Sequence, residues 1–249
     1  MNKIGDVIQN TILDYVFNSL ILKFENRERY NETIYSDLHK EFITTLVSRY
    51  LSNIGDTVIG SENTNLIEFS GLGGVESAGA GAGAGGEYRY DEIETLALHL
   101  SLQVKILEKR GFTMLYLQSE DIIKIRINSN GNGNGNEIKR GRDFDFYIYL
   151  LADLNQLVPL DKQNYNIFVL NYPKVYPFPK NVGAPELHNI SMLPFTTHRS
   201  AIYYSVGLLC LHLLKVQNLS LTNLRDTPLF YFLERCLKEE PLDRMCLFI

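Results

Sequence analysis

Residues Ala201 to Leu214 form a run of 14 that is apolar nearly all round, relieved mainly by Ser205 and His212, and this run limits the fold more than any other feature. A helix of that composition has no face to give to water, so its own domain must enclose it. At 14 residues it is well short of the ~20 that span a bilayer, which reads as a buried helix and no membrane attachment. Cover for it must come from the rest of the chain. With 249 residues and 45% apolar side chains, there is enough material for a sizeable core.

Other elements follow from periodicity. Ile93, Leu96, Ala97, Leu100, Val104 and Leu107 recur at steps of three and four, and Gly111 stops the pattern as a C-terminal glycine does, so this segment is expected to be a helix. Strands are expected at Ile122 to Ile127 and at Phe144 to Leu151, joined as a hairpin through the Asn-Gly tract from Asn128 to Asn136. From Asp153 to Pro194 the chain is dense in proline without helical period, which predicts an extended segment lying over a scaffold. An amphipathic helix is expected at Pro228 to Lys238. Nearer the N-terminus, strand-like runs at Ser19 to Phe24, Thr57 to Gly60 and Leu66 to Ser70 flank a helix expected from Asp37 to Leu51. The alternating Ala-Gly run from Ala78 to Gly86, like the Asn-Gly tract, cannot bury apolar area and reads as a surface insertion. The fold class is therefore α+β, with regions at 1–74 and 90–249 divided by a flexible Gly/Ala-rich linker or insertion at 75–89.

Charge narrows the function. A net charge of -5 gives no basic field for nucleic acid, and the cluster at Lys139, Arg140 and Arg142 reads as solvated loop charge. Cys210, Cys236 and Cys246 have no metal-ligand spacing and sit in or beside apolar helical patterns, where a thiol packs as a small hydrophobe. Sequons at Asn31, Asn189 and Asn218 matter only in a secreted protein, and the first residues lack the layout of a signal peptide. The expectation is an intracellular, reduced protein that is not secreted.

Three short motifs add a resemblance. The extended segment ends in Gly183-Ala184-Pro185-Glu186, the buried helix carries Tyr204-Ser205-Val206-Gly207, and the last segment has Cys236-Leu237 followed by Pro241 and Arg244. In order and spacing these resemble the APE motif, the central-helix W/Y-S-x-G stretch and the C-terminal helices of the protein-kinase-like superfamily. The resemblance covers about Tyr90 to Ile249 and implies a two-lobed fold with a reduced β-rich N-lobe and a mainly helical C-lobe. It also implies that Glu186 and Arg244 pair, tying the activation segment to the lobe through an Arg-carboxylate fork.

The resemblance further allows the catalytic parts to be compared position by position. Met114 to Asp121 corresponds to the catalytic loop, and there Tyr116 stands in place of the catalytic aspartate and Leu115 in place of the arginine. A phenol with an ordinary pKa near 10 cannot act as that base at neutral pH. Ile202 occupies the place of the central-helix aspartate that braces the loop. Asp121 stands for the metal-binding asparagine and Asp153, in Asp153-Leu154-Asn155, for the magnesium-binding aspartate of DFG, so both are candidate cation ligands. Leu20-Ile21-Leu22-Lys23 resembles the VAIK strand, which makes Lys23 a candidate phosphate ligand and Glu41 its partner. A glycine-rich phosphate loop is missing from the residues before Lys23.

Three functions remain open on the sequence. The first is a catalytically inactive, pseudokinase-type binding or scaffolding module whose partner is another protein. The second is a divergent kinase or ATP-binding protein that uses Lys23, Asp121 and Asp153 with ATP and magnesium. The third is an α+β interaction protein in which the resemblance is accidental. Only 30 residues separate Gly207 from Leu237, fewer than the family implies, so peptide-substrate docking of the ordinary kind is not expected.

Overall fold

A computed structural model describes residues 29–46, 67–71, 88–127, 146–151, 157–161, 163–169, 181–188, 190–216 and 221–248. Its elements are α1 (Arg29–Leu46), β1 (Ile67–Gly71), α2 (Tyr90–Arg110), β2 (Phe112–Met114), β3 (Ile122–Ile127), β4 (Phe146–Leu151), β5 (Leu157–Asp161), β6 (Asn166–Val169), α3 (Pro185–His188), β7 (Phe195–His198), α4 (Ala201–Val216) and α5 (Pro228–Cys236), with short 3-10 turns between some of them. The class is α+β, as the hydrophobic periods imply. The contacts divide the chain into Met1–Ser70 with Lys124–Ile148, and Gly71–Ile123 with Tyr149–Ile249. Strand β1 is a sheet neighbour of β3, which follows it by more than fifty residues.

The first unit contains α1 and the three-stranded sheet in the order β1-β3-β4, into which the first unit contributes the later part of β3 and the earlier part of β4. Leu38, Phe42 and Ile43 are fully buried, so α1 presents the apolar stripe its sequence encodes, but it begins eight residues before Asp37. Leu66 to Ser70 overlaps β1, whereas Ser19 to Phe24, Thr57 to Gly60 and the end of the helix expected at Leu51 lie outside the described residues.

In the second unit α4 packs against both α2 and α5. Helix α2 carries Asp91 and Glu92 in its first turn and Lys109 and Arg110 in its last, each sign matched to the helix dipole. Gly111 ends it at φ 88°, in the left-handed region that glycine enters without Cβ strain. Its carbonyl then accepts from Leu160 N at 2.9 Å, so the cap of α2 starts the β2–β5 ladder. On α5, Thr227 caps the N-terminus by accepting from Phe230 N at 3.2 Å, and Leu229, Phe232, Leu233 and Cys236 bury one face. Gly207 is where α4 and α5 come closest: a Cβ there would lie 2.9 Å from Cys236 Cβ. His212 is exposed and Leu208 half-buried, so the apolar α4 is enclosed along most of its circumference rather than all of it.

The proline-dense segment corrects an expectation. It is not a featureless cover but supplies β5 and β6, which join β2 and β7 in a four-stranded sheet ordered β2-β5-β6-β7 with antiparallel pairs throughout. Alternation explains this, because Leu160, Ile167 and Val169 share the buried face while Pro159 and Phe168 point outward. Asp161 begins the turn by accepting from Gln163 N at 2.9 Å and Asn164 Nδ2 at 2.8 Å, and Tyr165 closes it at φ 56°.

A polar staple fixes α2 to the end of β4. Gln103 donates through Nε2 to Tyr149 O at 3.0 Å and accepts through Oε1 from Leu151 N at 3.0 Å, while His99 Nδ1 accepts from Tyr149 N at 3.3 Å. Two side chains four residues apart thus take up strand backbone groups that would otherwise be buried without partners. Burial lowers the His99 pKa from 6.5 to about 3, so the folded protein holds it neutral. An unfolded chain takes up a proton here near pH 6.5 and the folded one only near pH 3, so this contribution to stability is complete above pH 6.5. It is lost by up to about 1.4 kcal/mol per pH unit as pH falls toward 3. Urea titrations at a series of pH values should show this slope, and His99→Asn, whose amide oxygen can replace Nδ1 as acceptor, should flatten it.

Candidate functional site

After β2 the chain enters the core. Met114, Leu115, Tyr116 and Leu117 are all at most 1% exposed, an unusual degree of burial for four consecutive residues outside a helix. Leu115 and Tyr116 pack with Leu160, Ile167, Val169, Ala184, Leu187 and Ala201. Tyr116, which occupies the catalytic-aspartate position of the resemblance, is therefore part of the hydrophobic core and closed to any substrate.

Backbone groups in so dry a loop need partners. Ser205, from the first half of α4, supplies them: its Oγ accepts from Leu117 N at 2.8 Å and donates to Leu117 O at 3.1 Å. Ile202 is buried beside it without polar atoms to offer. The brace expected to be lost with Ile202 is thus provided from the same helix three residues later. A lone serine in a largely apolar helix was the signal available in the sequence, since a buried hydroxyl requires a partner.

Asp121 closes this loop. Its Oδ2 accepts from Gln118 N at 2.8 Å, in a reciprocal capping box that starts the 3-10 turn Ser119–Asp121. One carboxylate oxygen is therefore engaged in holding the loop. Among the described residues, no group of three or more His, Cys, Asp or Glu side chains could hold a metal ion. Glu41 lies half-buried on α1, and Lys23 and Asp153 fall outside the described residues.

Glu186 and Arg244 are brought together. Glu186 is in the first turn of α3, and Arg244 follows the 3-10 turn Pro241–Asp243. Arg244 donates through Nη1 to Glu186 Oε1 at 2.6 Å and through Nη2 to Oε2 at 2.9 Å, a complete fork. Nε and Nη2 also donate to Lys238 O and Glu239 O, each at 2.6 Å. The guanidinium lies 4.8 Å from the Tyr204 ring centroid, so α4 contributes a cation-π face to the same group. The Arg244 side chain is wholly buried and that of Glu186 is 23% exposed.

A second network was not anticipated from the sequence. Glu108 on α2 accepts a short hydrogen bond from Tyr203 Oη and another from Arg199 Nη1 at 3.2 Å, while Arg199 also covers the Tyr165 ring at 4.1 Å. Burial raises the Glu108 pKa against the opposing effects of Tyr203 and Arg199, and burial together with Glu108 raises that of Tyr203. Ser200 donates to Pro241 O at 2.6 Å and lies 2.8 Å from His198 Nδ1, connecting the start of α4 to the turn that precedes Arg244. These are struts between elements.

Compared with protein-family models, curated proteins and solved structures, the chain gives no match. No helix among the described residues is long and apolar enough to cross a membrane.

Two substitutions test this geometry. Arg244→Lys keeps the charge but cannot make the fork or reach both carbonyls, and it should lower unfolding free energy by about 3 kcal/mol in denaturant titrations. Ser205→Ala leaves the buried Leu117 amide without its acceptor and should cost about 1–3 kcal/mol. Hydrogen exchange at Leu117 should accelerate in the same variant.

Proposed function

We propose that this chain is a protein-kinase-like scaffold without phosphotransfer activity, which acts as a binding module for another protein. The observation that carries the reading is a contrast within one unit. The residues that correspond to architecture, Glu186, Tyr204 and Arg244, engage one another through a buried fork and a cation-π contact. Those at catalytic positions, Leu115, Tyr116 and Ile202, are packed away in the core. Phosphoryl transfer consists mainly of positioning and neutralising charge, and it needs an accessible carboxylate where Tyr116 lies. The expected cellular setting is intracellular, and the charge of -5 favours a protein partner over nucleic acid.

Nucleotide binding tests the reading directly. A nucleotide present at a hundred times its Kd would stabilise the fold by about 2.7 kcal/mol. The expected result is an unchanged thermal midpoint with ATP, with or without magnesium, and no transfer of radiolabelled phosphate to the chain or to added protein. Phosphate incorporation that disappears in Asp153→Asn would overturn the proposal.

A further inference from the structure

Three thiols from three elements meet beneath the segment that follows Arg244. Cys210 comes from the middle of α4, Cys236 from the last turn of α5 and Cys246 from the segment itself, and all three are free and buried. Cys246 directly follows Met245, the residue whose carbonyl accepts from the Cys236 thiol, which makes the two cysteines neighbours. Backbone contacts hold them there. Met245 N donates to Arg235 O at 3.2 Å, Cys236 Sγ to Met245 O at 3.4 Å and Arg235 Nη2 to Leu247 O at 3.0 Å, so residues 245–247 lie along the end of α5. On its other side Cys236 is confined by the close approach of α4 at Gly207.

We infer that Cys236 and Cys246 form a reversible disulfide site, closed by a small-molecule disulfide of the glutathione class. One cysteine thiolate attacks the oxidant's S–S bond, forms a mixed disulfide and releases one thiol. The second thiolate then attacks the protein sulfur of the mixed disulfide, forming the Cys236–Cys246 bond and releasing the other thiol. Two electrons and the two thiol protons leave the protein, and the oxidant becomes two thiols. The neighbouring Cys246 thiol and burial raise the Cys236 pKa, so thiolate is scarce and closure proceeds slowly, through lifting of residues 245–248 from α5. Cys210 takes no part, because it is held in the middle of α4, whereas Cys246 lies on a segment outside the helices. Closure would tie the segment after Arg244 covalently to α5, opposing loss of the fork to Glu186. This inference is independent of the kinase-like reading.

The full chain is incubated with oxidised glutathione at mildly alkaline pH, then denatured, alkylated and digested with trypsin without reduction. The intact mass should fall by about 2 Da. The fragments Cys236–Lys238 and Met245–Ile249 should be joined until dithiothreitol separates them. The thermal midpoint should rise by roughly 5 °C on closure. Cys210→Ser should retain both the link and the rise, whereas Cys246→Ser should abolish both. If Cys246→Ser fails to fold, the wild-type peptide map decides alone. Three alkylated cysteines, a persistent glutathione adduct, or a link that includes Cys210 or joins two chains would overturn the inference.

Discussion

Burying a guanidinium is costly unless the directions in which it donates are met, and the second unit supplies Arg244 with four such hydrogen bonds. Its carboxylate partner comes from α3, its aromatic face from α4 and its two carbonyls from the turn after α5. Three stretches, α3, α4 and the turn after α5, are thus held by one side chain. Losing any one partner would leave charge or dipole stranded in a dry site. The position is therefore less tolerant of change than an apolar contact of equal area, and it limits how the segment before α4 and the segment after α5 can move.

The same logic recurs on a smaller scale wherever the apolar core meets irregular backbone. Three consecutive buried residues between β2 and the following turn need an internal partner, which Ser205 provides from α4. The end of β4 needs partners as well, and Gln103 and His99 provide them from α2. Each staple places one polar group on a helix face that hydrophobic burial already directs inward. The apolar effect sets the packing, and the polar groups determine which register of that packing is acceptable.

These staples also explain what was legible in the sequence. Helix α2 and its stop at Gly111, the buried α4 and the amphipathic α5 were readable because burial writes a period into consecutive residues. Strands β5 and β6 were not, because each spans five residues or fewer and proline suggested extended cover; their partners β2 and β7 lie far away along the chain. Pairing between distant segments leaves little local mark. Of the candidate site, the Glu186–Arg244 contact was anticipated only through motif order, and the network of Glu108, Arg199 and Tyr203 went unseen. Its members are unremarkable as sequence and acquire meaning only when α2 and α4 cross.

By itself the sequence determined the α+β class, the central apolar helix, its amphipathic companions and the absence of a basic field for nucleic acid. Those follow from local composition and periodicity, which the chain carries wherever its parts come to rest. Only the tertiary structure decided that Tyr116 is a core residue, that Ser205 braces the loop, that Asp121 caps it and that the segment carrying Cys246 lies along the end of α5. Each depends on which distant groups share a dry environment. In that environment a hydroxyl, carboxylate or thiol takes its role from the partner that burial assigns to it.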